Sequence, residues 1–548
     1  MHQNVNSTKA NEIGKFVYSL KDASTSNGNT FDSAGAKEFT KEVLSGRIAG
    51  APEQLQILLD ENKASSSDIS RAILDSVSNY EKQHGVKPNN DLLHQVIHNA
   101  YATTKDAQQR YALDSASTVH HDQMGIQSAR AIVAIVTTLG DAIPFAHYLP
   151  TDIGNNRAML AIVNNKTAND YGSYAANGTL SGVSSGDAYI TSSRIHRLSS
   201  SDKSNFAGKL TTIQGVAGDY DVCKQDATSI KVLRGRTIVY INGRIVAEEI
   251  SSQGFGDSSI SGKFLNGSVT HQISGVVNTD TGLVTLKLDP ALPSDNFSVL
   301  VEGFIDYERS PELAPSIVTT VDTYNLYAKP WRVLTSQTID SRTQMSNELG
   351  LDPYSQQVIT VNAQFANERY YDVLRKAARL AVSNQSDYTF NMNPADALNS
   401  RLGLLHSISM VSQQMAVDTI GFGISVIYVN KSLAALFRAL PSDIFVSSGI
   451  GERAGIYRLG TLFGTYDVYY TPKVVKEGQM LCIGRASDVA RNPFVLGDAV
   501  PATVIPLAVG GDLKTGSGFY ARNYTAVNPY EPSSKGCAML NISFITTV

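Results

Sequence analysis

The longest helical pattern in this chain runs over residues 353–383, and its length constrains the fold more than any other feature. Pro353 suits the first turn of a helix, where its missing N–H is not needed. Apolar residues then recur at helical spacing and predict one buried face: Val361, Phe365, Val373 and Ala377, with Tyr370 and Leu374 beside them. At 1.5 Å per residue, such a helix would be about 45 Å long. We therefore expect an element on which other layers pack.

Residues 205–312 carry the patterns of short strands and tight turns. Asn-Gly at 242–243, flanked by β-branched residues, predicts a hairpin, and residues 279–282 repeat this logic. Short strands at close intervals are typical of a β-sandwich or barrel. We interpret 205–312 as an inserted β-rich domain, and the preceding Gly-, Ser- and Asn-rich stretch at 166–186 as an exposed, mobile loop.

The N-terminal region, 1–118, is polar and predicts helices with loops. Its clearest helix spans Asp91–Leu113, which Asp91 would cap, with a narrow apolar stripe. We expect a modest helical arm or pro-region without a large core. Residues 128–140 then predict a short buried helix, followed by an extended crossing and a strand.

The C-terminal part alternates helix and strand, which together with the insertion gives an α+β class. An extended segment at 316–340 precedes the long helix. Predicted helices and buried strands then follow as far as the final strand at 537–548.

Composition excludes several function classes. The net charge of −4 over 548 residues gives no basic excess for binding nucleic acid over the whole surface. Cys223, Cys482 and Cys537 are widely spaced, which favours buried thiols in a protein made in a reducing compartment. Neither a signal peptide nor a membrane span is predicted.

We find no pattern that predicts a catalytic, cofactor or metal site, and we expect no enzyme. His120 and His121 are adjacent and should point apart. Glycine-rich strings at 182–186 and 516–520 predict loops rather than phosphate cradles, and the spacing at 289–296 fits no ordinary calcium loop. The pairs Glu248–Glu249 and Asp202–Lys203 are expected on the solvated surface.

A basic cluster on the long helix leaves two interpretations open. It comprises Arg369, Arg375, Lys376 and Arg379. Such residues usually form a solvated face. Alternatively, they form a basic stripe that faces packaged DNA or carboxylates of a neighbouring subunit.

The order of these elements resembles that of the major capsid proteins of tailed bacteriophages, especially those of large contractile-tailed phages. Five strings carry the resemblance, among them GIQSARAIVAIVTTLGDAIPFAHYLPTDIGNNRAMLAI; they lie at 125–162, 324–381, 420–440, 455–472 and 518–545. The likeness covers about residues 120–548, and the insertion matches in kind rather than in sequence.

The resemblance implies an HK97-like capsid fold. Its parts would be an N-terminal helical arm or pro-region (1–118), the start of a peripheral domain with an extended loop (119–204), the insertion (205–312), the loop's return strand with the spine helix (313–390), an axial domain (391–515) and a C-terminal return to the peripheral domain (516–548). Some relatives crosslink a lysine to an asparagine; Lys166 lies near the loop, but no residue match supports this here.

The implied function is structural. Copies of the chain would form hexamers and pentamers of an icosahedral head around double-stranded DNA, assembled in the bacterial cytoplasm and located in the virion. Scaffold, portal, maturation protease and decoration proteins are the implied partners, and no membrane is involved. We also hypothesise that the insertion clamps adjacent subunits. Other interpretations are a tail sheath or vertex protein, an encapsulin-type shell and, less favoured, a bacterial surface adhesin.

Overall fold

The chain divides into two compact units, which are described separately. Unit 1 comprises Met1–Ile162 and Thr323–Val548, and unit 2 comprises Val163–Asp322. No described helix combines the length and the apolarity needed to cross a membrane. The computed structural model describes residues 2–26, 30–44, 53–61, 66–111, 120–151, 156–214, 227–250, 254–294, 296–350, 353–391, 397–507 and 514–545.

The described part of unit 1 combines helices with sheets, as expected for an α+β protein. Its helices are α1 (His2–Ser24), α2 (Ser33–Leu44), α3 (Glu53–Glu61), α4 (Ser66–His84), α5 (Asn90–Tyr111), α6 (His120–Gly140), α7 (Ile339–Leu349), α8 (Pro353–Leu380), α9 (Ala397–Thr419), α10 (Lys431–Arg438) and α11 (Glu531–Ser534).

Two sheets dominate unit 1. One has four strands in the order β14 (Lys329–Thr338), β22 (Lys514–Val527), β21 (Phe494–Leu507) and β3 (His147–Tyr148). The other has seven strands in the order β15 (Gln385–Asn391), β23 (Cys537–Ile545), β20 (Gln479–Gly484), β16 (Ile424–Val429), β19 (Tyr466–Tyr470), β18 (Tyr457–Leu462) and β17 (Phe445–Ser447). A short pair, β1 (Thr25–Ser26) and β2 (Thr30–Phe31), follows α1.

The long helix is confirmed as α8, with a 3₁₀ turn at Ala381–Ser383 in place of its last predicted turn. Phe365 packs with Trp331 and Phe519, whereas Val373 and Ala377 enter the main core. The helix therefore joins two apolar clusters along its length. The predicted strands and helices beyond it are also found. However, residues 516–520 lie in β22 rather than in a loop, and β23 joins the seven-stranded sheet.

The expectation that the N-terminal helices lack a large core is wrong. Ile13 and Phe16 of α1, Ile73 of α4 and Val96 of α5 lie in the same buried cluster as Val373 of α8. Each such side chain contributes about 1.5–3 kcal/mol through burial. The polar composition of this region does not indicate exposure, because polar residues such as Gln95, His98 and Asn99 are themselves buried on α5.

Two details of the N-terminal helices also differ from expectation. Helix α5 begins at Asn90, and the Asp91 carboxylate accepts the backbone N–H of Tyr148 at 2.7 Å instead of capping the helix. Helix α6 begins at His120, eight residues before the predicted start, and Val133 and Val136 are exposed, so its burial is one-sided.

Unit 2 is built on eight antiparallel strands in one sheet. Their order is β5 (Ser193–Arg197), β12 (Val299–Phe304), β7 (Ile238–Ile241), β8 (Arg244–Glu249), β9 (Asp257–Asn266), β10 (Val269–Asn278), β11 (Leu283–Asp289) and β6 (Asn205–Lys209). Just beyond β5, Ser199 exchanges two backbone hydrogen bonds with Ala207 of β6, at 3.0 and 2.9 Å. This closes the sheet into a barrel, one of the two architectures expected.

Both predicted hairpins are present in unit 2. Asn242 (φ 49°) and Gly243 (φ 77°) form the turn between β7 and β8, as a type I′ turn requires. Residues 279–282 connect β10 to β11, with Gly282 at φ 68°.

The stretch expected as an exposed loop contributes to the barrel core. Tyr171 and Tyr174 of this stretch are buried in it, together with Tyr189 just after the stretch. Unit 2 also extends beyond 205–312, since β5 pairs with β12.

The chain passes between the units through β4 (Arg157–Thr167) and β13 (Ile317–Tyr327), which form a two-stranded sheet.

Candidate functional site: an ion-pair network and a basic cavity in unit 1

The predicted basic cluster is divided by the structure into two environments. Arg369 is buried, whereas Arg375 and Arg379 are exposed and Lys376 is half-buried. A spacing of six residues turns Arg369 away from Arg375 on α8, because each residue advances the helix by about 100°. The prediction of a solvated face is therefore wrong for Arg369.

Arg369 forms an ion pair in the core of unit 1. Its guanidinium lies 3.0 Å from the Asp498 carboxylate, and the two side chains are only 7% and 8% exposed. Asn99 of α5 donates to the same carboxylate at 2.8 Å. Burial opposes the charge of Arg369, but Asp498 raises the pKa of this guanidinium overall. The network thus joins α5, α8 and β21.

Asp141, just after α6, belongs to the same electrostatic environment. Burial raises its pKa to about 6, and Asp498 adds to the rise while Arg369 opposes it. A carboxyl with this pKa is largely ionised at neutral pH at a cost to folding.

A second polar pair connects α5 to β3. The Asp91 carboxylate lies 3.0 Å from His147 Nδ1, and His147 Nε2 lies 2.9 Å from the carbonyl oxygen of Ala486. The imidazole of His147 therefore lies between α5 and the segment around residue 486. Burial alone would raise the pKa of Asp91, but the charge and hydrogen bond of His147 lower it overall.

The exposed part of the basic cluster borders a cavity of about 1060 Å³, which we call the basic cavity. Its walls come from α8, β14, β22 and the segments around residues 454 and 473. Five cations line it: Lys329, Arg375, Lys376, Arg379 and Lys473. Lys329 and Lys473 were missed by the sequence analysis, since neither lies near another of these cations along the chain.

The two described cysteines occupy structural positions. Cys482 and Cys537 are buried as predicted, and burial raises the pKa of the Cys482 thiol to about 12. Cys223 and the side chains of His120 and His121 lie outside the described residues. Among the described residues, no group of three or more His, Cys, Asp and Glu side chains is placed to hold a metal ion.

Of the two charged pairs expected at the surface, the acidic pair Glu248–Glu249 is partly buried. Glu249 is 8% exposed, and its carboxylate accepts the backbone N–H groups of Arg236 and Thr237 at 3.2 and 3.1 Å. Burial opposes ionisation, but hydrogen bonds from the Gly235 backbone, from Ser258 and from Thr237 lower the pKa of Glu249 overall. Asp202 is exposed as expected, and backbone and side-chain hydrogen bonds from Asn205 lower its pKa to about 2.

No family model matches the chain, and no curated protein matches it. Among solved structures, it is similar to the capsid of the jumbo bacteriophage PhiKZ, with 10% identity, a TM-score of 0.38 and coverage of 73% of this chain and 91% of that chain. A chain of Microbacterium phage Oxtober96 matches with 14% identity, a TM-score of 0.30 and coverage of 59% and 96%. The capsid of Myoviridae phage XM1 matches with 9% identity, a TM-score of 0.29 and coverage of 57% and 89%.

Proposed function

We propose that this chain is the major capsid protein of a tailed bacteriophage and that copies of it form the shell of the head. The observation that carries the proposal is the row of exposed apolar side chains on strands β4, β13 and β14. Such surface on edge strands favours burial against another chain. A shell built from many copies of one protein provides that burial.

The two-stranded sheet of β4 and β13 exposes aliphatic side chains along its length. Val163 of β4 is 49% exposed, and Ile317 and Val321 of β13 are 51% and 56% exposed. A two-stranded ribbon is marginally stable in water by itself. Contact with a second copy would both cover these side chains and stabilise the ribbon.

Strand β14 gives a second such surface. It is the edge strand of the four-stranded sheet, and Val333 and Leu334 are 45% and 78% exposed. An edge strand of ten residues presents unpaired backbone groups as well as side chains. Together, β4, β13 and β14 supply contacts of the kind expected from an extended loop that crosses a neighbouring subunit.

In this proposal the fold is HK97-like, with α8 as the spine helix and the barrel of unit 2 as an insertion. Copies would form hexamers and pentamers, because closed symmetry repeats each contact and multiplies a modest affinity. The shell would enclose double-stranded DNA and form in the bacterial cytoplasm with scaffold, portal, maturation protease and decoration proteins. Its role would be structural rather than enzymatic.

Negative-stain electron microscopy of the full chain, alone and with candidate phage assembly factors, tests the proposal. We expect closed polyhedral particles or flat hexameric sheets. Helical tubes with a central channel would favour a tail sheath. Monomers under every condition would overturn shell assembly as a property of this chain.

A further inference from the structure

The basic cavity has a positive charge that runs against the composition of the whole chain. Five cations line it, against only two carboxylates, those of Glu368 and Asp372. The chain itself carries a net charge of −4. Positive charge is thus concentrated where α8 faces strands β14 and β22.

Two of the five cations have partners inside the protein. Lys376 Nζ lies 2.5 Å from Asp372 Oδ2 and donates to the Thr525 carbonyl oxygen at 2.6 Å. Burial would raise the pKa of Asp372, but Lys376 and Thr525 lower it overall. Lys473 Nζ lies 5.5 Å from the centre of the Tyr371 ring, within cation–π distance.

Lys329, Arg375 and Arg379 form no ion pair within 4.0 Å in the part of the chain that the structure describes. All three are exposed. Arg375 and Arg379 are one helical turn apart, and Arg379 Nε donates to the backbone carbonyl of Arg375 at 3.3 Å. Their guanidinium groups retain most of their donors for an external oxyanion.

We propose that the basic cavity is a phosphate-binding site. A guanidinium binds two phosphate oxygens at once, and two such groups one turn apart with a nearby lysine suit an anion with several oxygens. A single carboxylate carries one charge and would leave most of this cationic surface unmatched. The cavity is also far larger than one carboxylate requires.

Phosphate at this site can come from a nucleic-acid backbone or from a small phosphorylated molecule. The suggestion that duplex DNA supplies the phosphate rests on the proposed capsid function, whereas the proposal of a phosphate site does not. Binding by the unassembled chain therefore tests this site separately from the electron microscopy of shells.

The experiment compares the full-length protein with the double variant Arg375→Gln, Arg379→Gln. Anisotropy of a fluorescein-labelled 12-base-pair duplex measures affinity between 50 and 200 mM salt. If Lys329, Arg375 and Arg379 each contact one phosphate, the affinity of the wild type should fall about 40-fold over this range. The double variant keeps only Lys329 of these three, and its affinity should fall only about 3.5-fold. Inorganic phosphate forms the second arm, with fluorescence of Trp331, which lines the cavity, as the readout.

A matched control removes the same charge elsewhere. Lys263→Gln with Lys287→Gln neutralises two exposed lysines on strands β9 and β11 of unit 2. We expect this control to keep the wild-type salt dependence. An unchanged urea-unfolding midpoint in both double variants shows that the fold is intact.

Loss of duplex and phosphate binding in the arginine variant alone supports the site with a nucleic-acid source. Phosphate binding without duplex binding supports it with a small-molecule source. Equal salt dependence in the wild type and the arginine variant, or equally strong competition by a glutamate-rich peptide, would overturn it.

Discussion

Replacing Arg369 with methionine should be among the most destabilising single changes in unit 1. The substitution keeps an unbranched, apolar stem but removes the charge that lies 3.0 Å from Asp498. At an effective dielectric constant of about 20, this attraction is about 5.5 kcal/mol. Desolvation of the two ions offsets part of it, and removing one partner of a buried pair usually costs about 3–5 kcal/mol. We expect a loss in that range at pH 7.5.

Equilibrium urea unfolding, followed by tryptophan fluorescence, measures this loss. Trp331 is the single tryptophan of the chain, and its ring packs on Phe365, one helical turn before Arg369. Its Nε1 donates to Asn523 at 2.8 Å, so unfolding of the region around α8 changes its environment directly.

The double variant Arg369→Met, Asp498→Leu provides the control. It replaces both charges with apolar groups, and such replacements are often neutral or stabilising. We expect it to recover most of the stability that Arg369→Met loses. A loss below about 1 kcal/mol in the single variant, or a double variant at least as unstable as the single one, would refute the reasoning that the buried pair carries this energy.

Four further predictions follow from the same structure. Asp141→Asn should stabilise the protein by about 1–2 kcal/mol at pH 7.5 but not at pH 4. The raised folded-state pKa means that the ionised carboxylate destabilises the fold; this cost appears as pH rises from about 4 to about 6 and is complete above about 6. Urea unfolding at both pH values measures the gain, and equal gains at both would contradict the prediction. Leu334→Asp should prevent shell formation in electron micrographs without lowering the unfolding midpoint, whereas Leu265→Asp, on an exposed position of β9, should assemble normally; assembly by both variants would argue against the β14 contact. If unit 2 clamps adjacent subunits, replacing 163–322 with a short linker should lower the temperature at which shells disassemble in a light-scattering melt, and unchanged shell yield and heat resistance would reject the clamp. Because α1, α4 and α5 supply core residues, intact-mass spectrometry of particles should show the N-terminal region retained, and a loss of about 12 kDa would contradict retention.

Much of the local structure could be predicted from the sequence. The apolar face of α8 follows from residues three and four apart, and the β7–β8 hairpin follows from Asn-Gly at 242–243, because both depend on neighbours along the chain. The alternation beyond residue 397 was predicted for the same reason. The basic cluster on α8 was identified by its charges, which also lie close together in sequence.

The remaining features depend on contacts between residues far apart in the chain. Arg369 has the same local pattern as its neighbours on α8, and its buried charge is paired with Asp498, 129 positions later. Lys329 and Lys473 reach the basic cavity because strand pairing and loop packing bring them to α8. Closure of the barrel by Ser199 and Ala207 likewise requires the complete order of eight strands.

The sequence by itself determined the α+β class, the positions of α8 and the β7–β8 hairpin, and the resemblance to phage capsid proteins. Only the tertiary structure decided that the N-terminal helices share the core with α8, that the basic cluster divides between an ion pair and a cavity, and that the insertion closes into a barrel. The physical reason is the distance along the chain over which each feature is decided. Helical periodicity and turn conformation are set over a few residues, whereas burial and charge pairing depend on which distant segments meet.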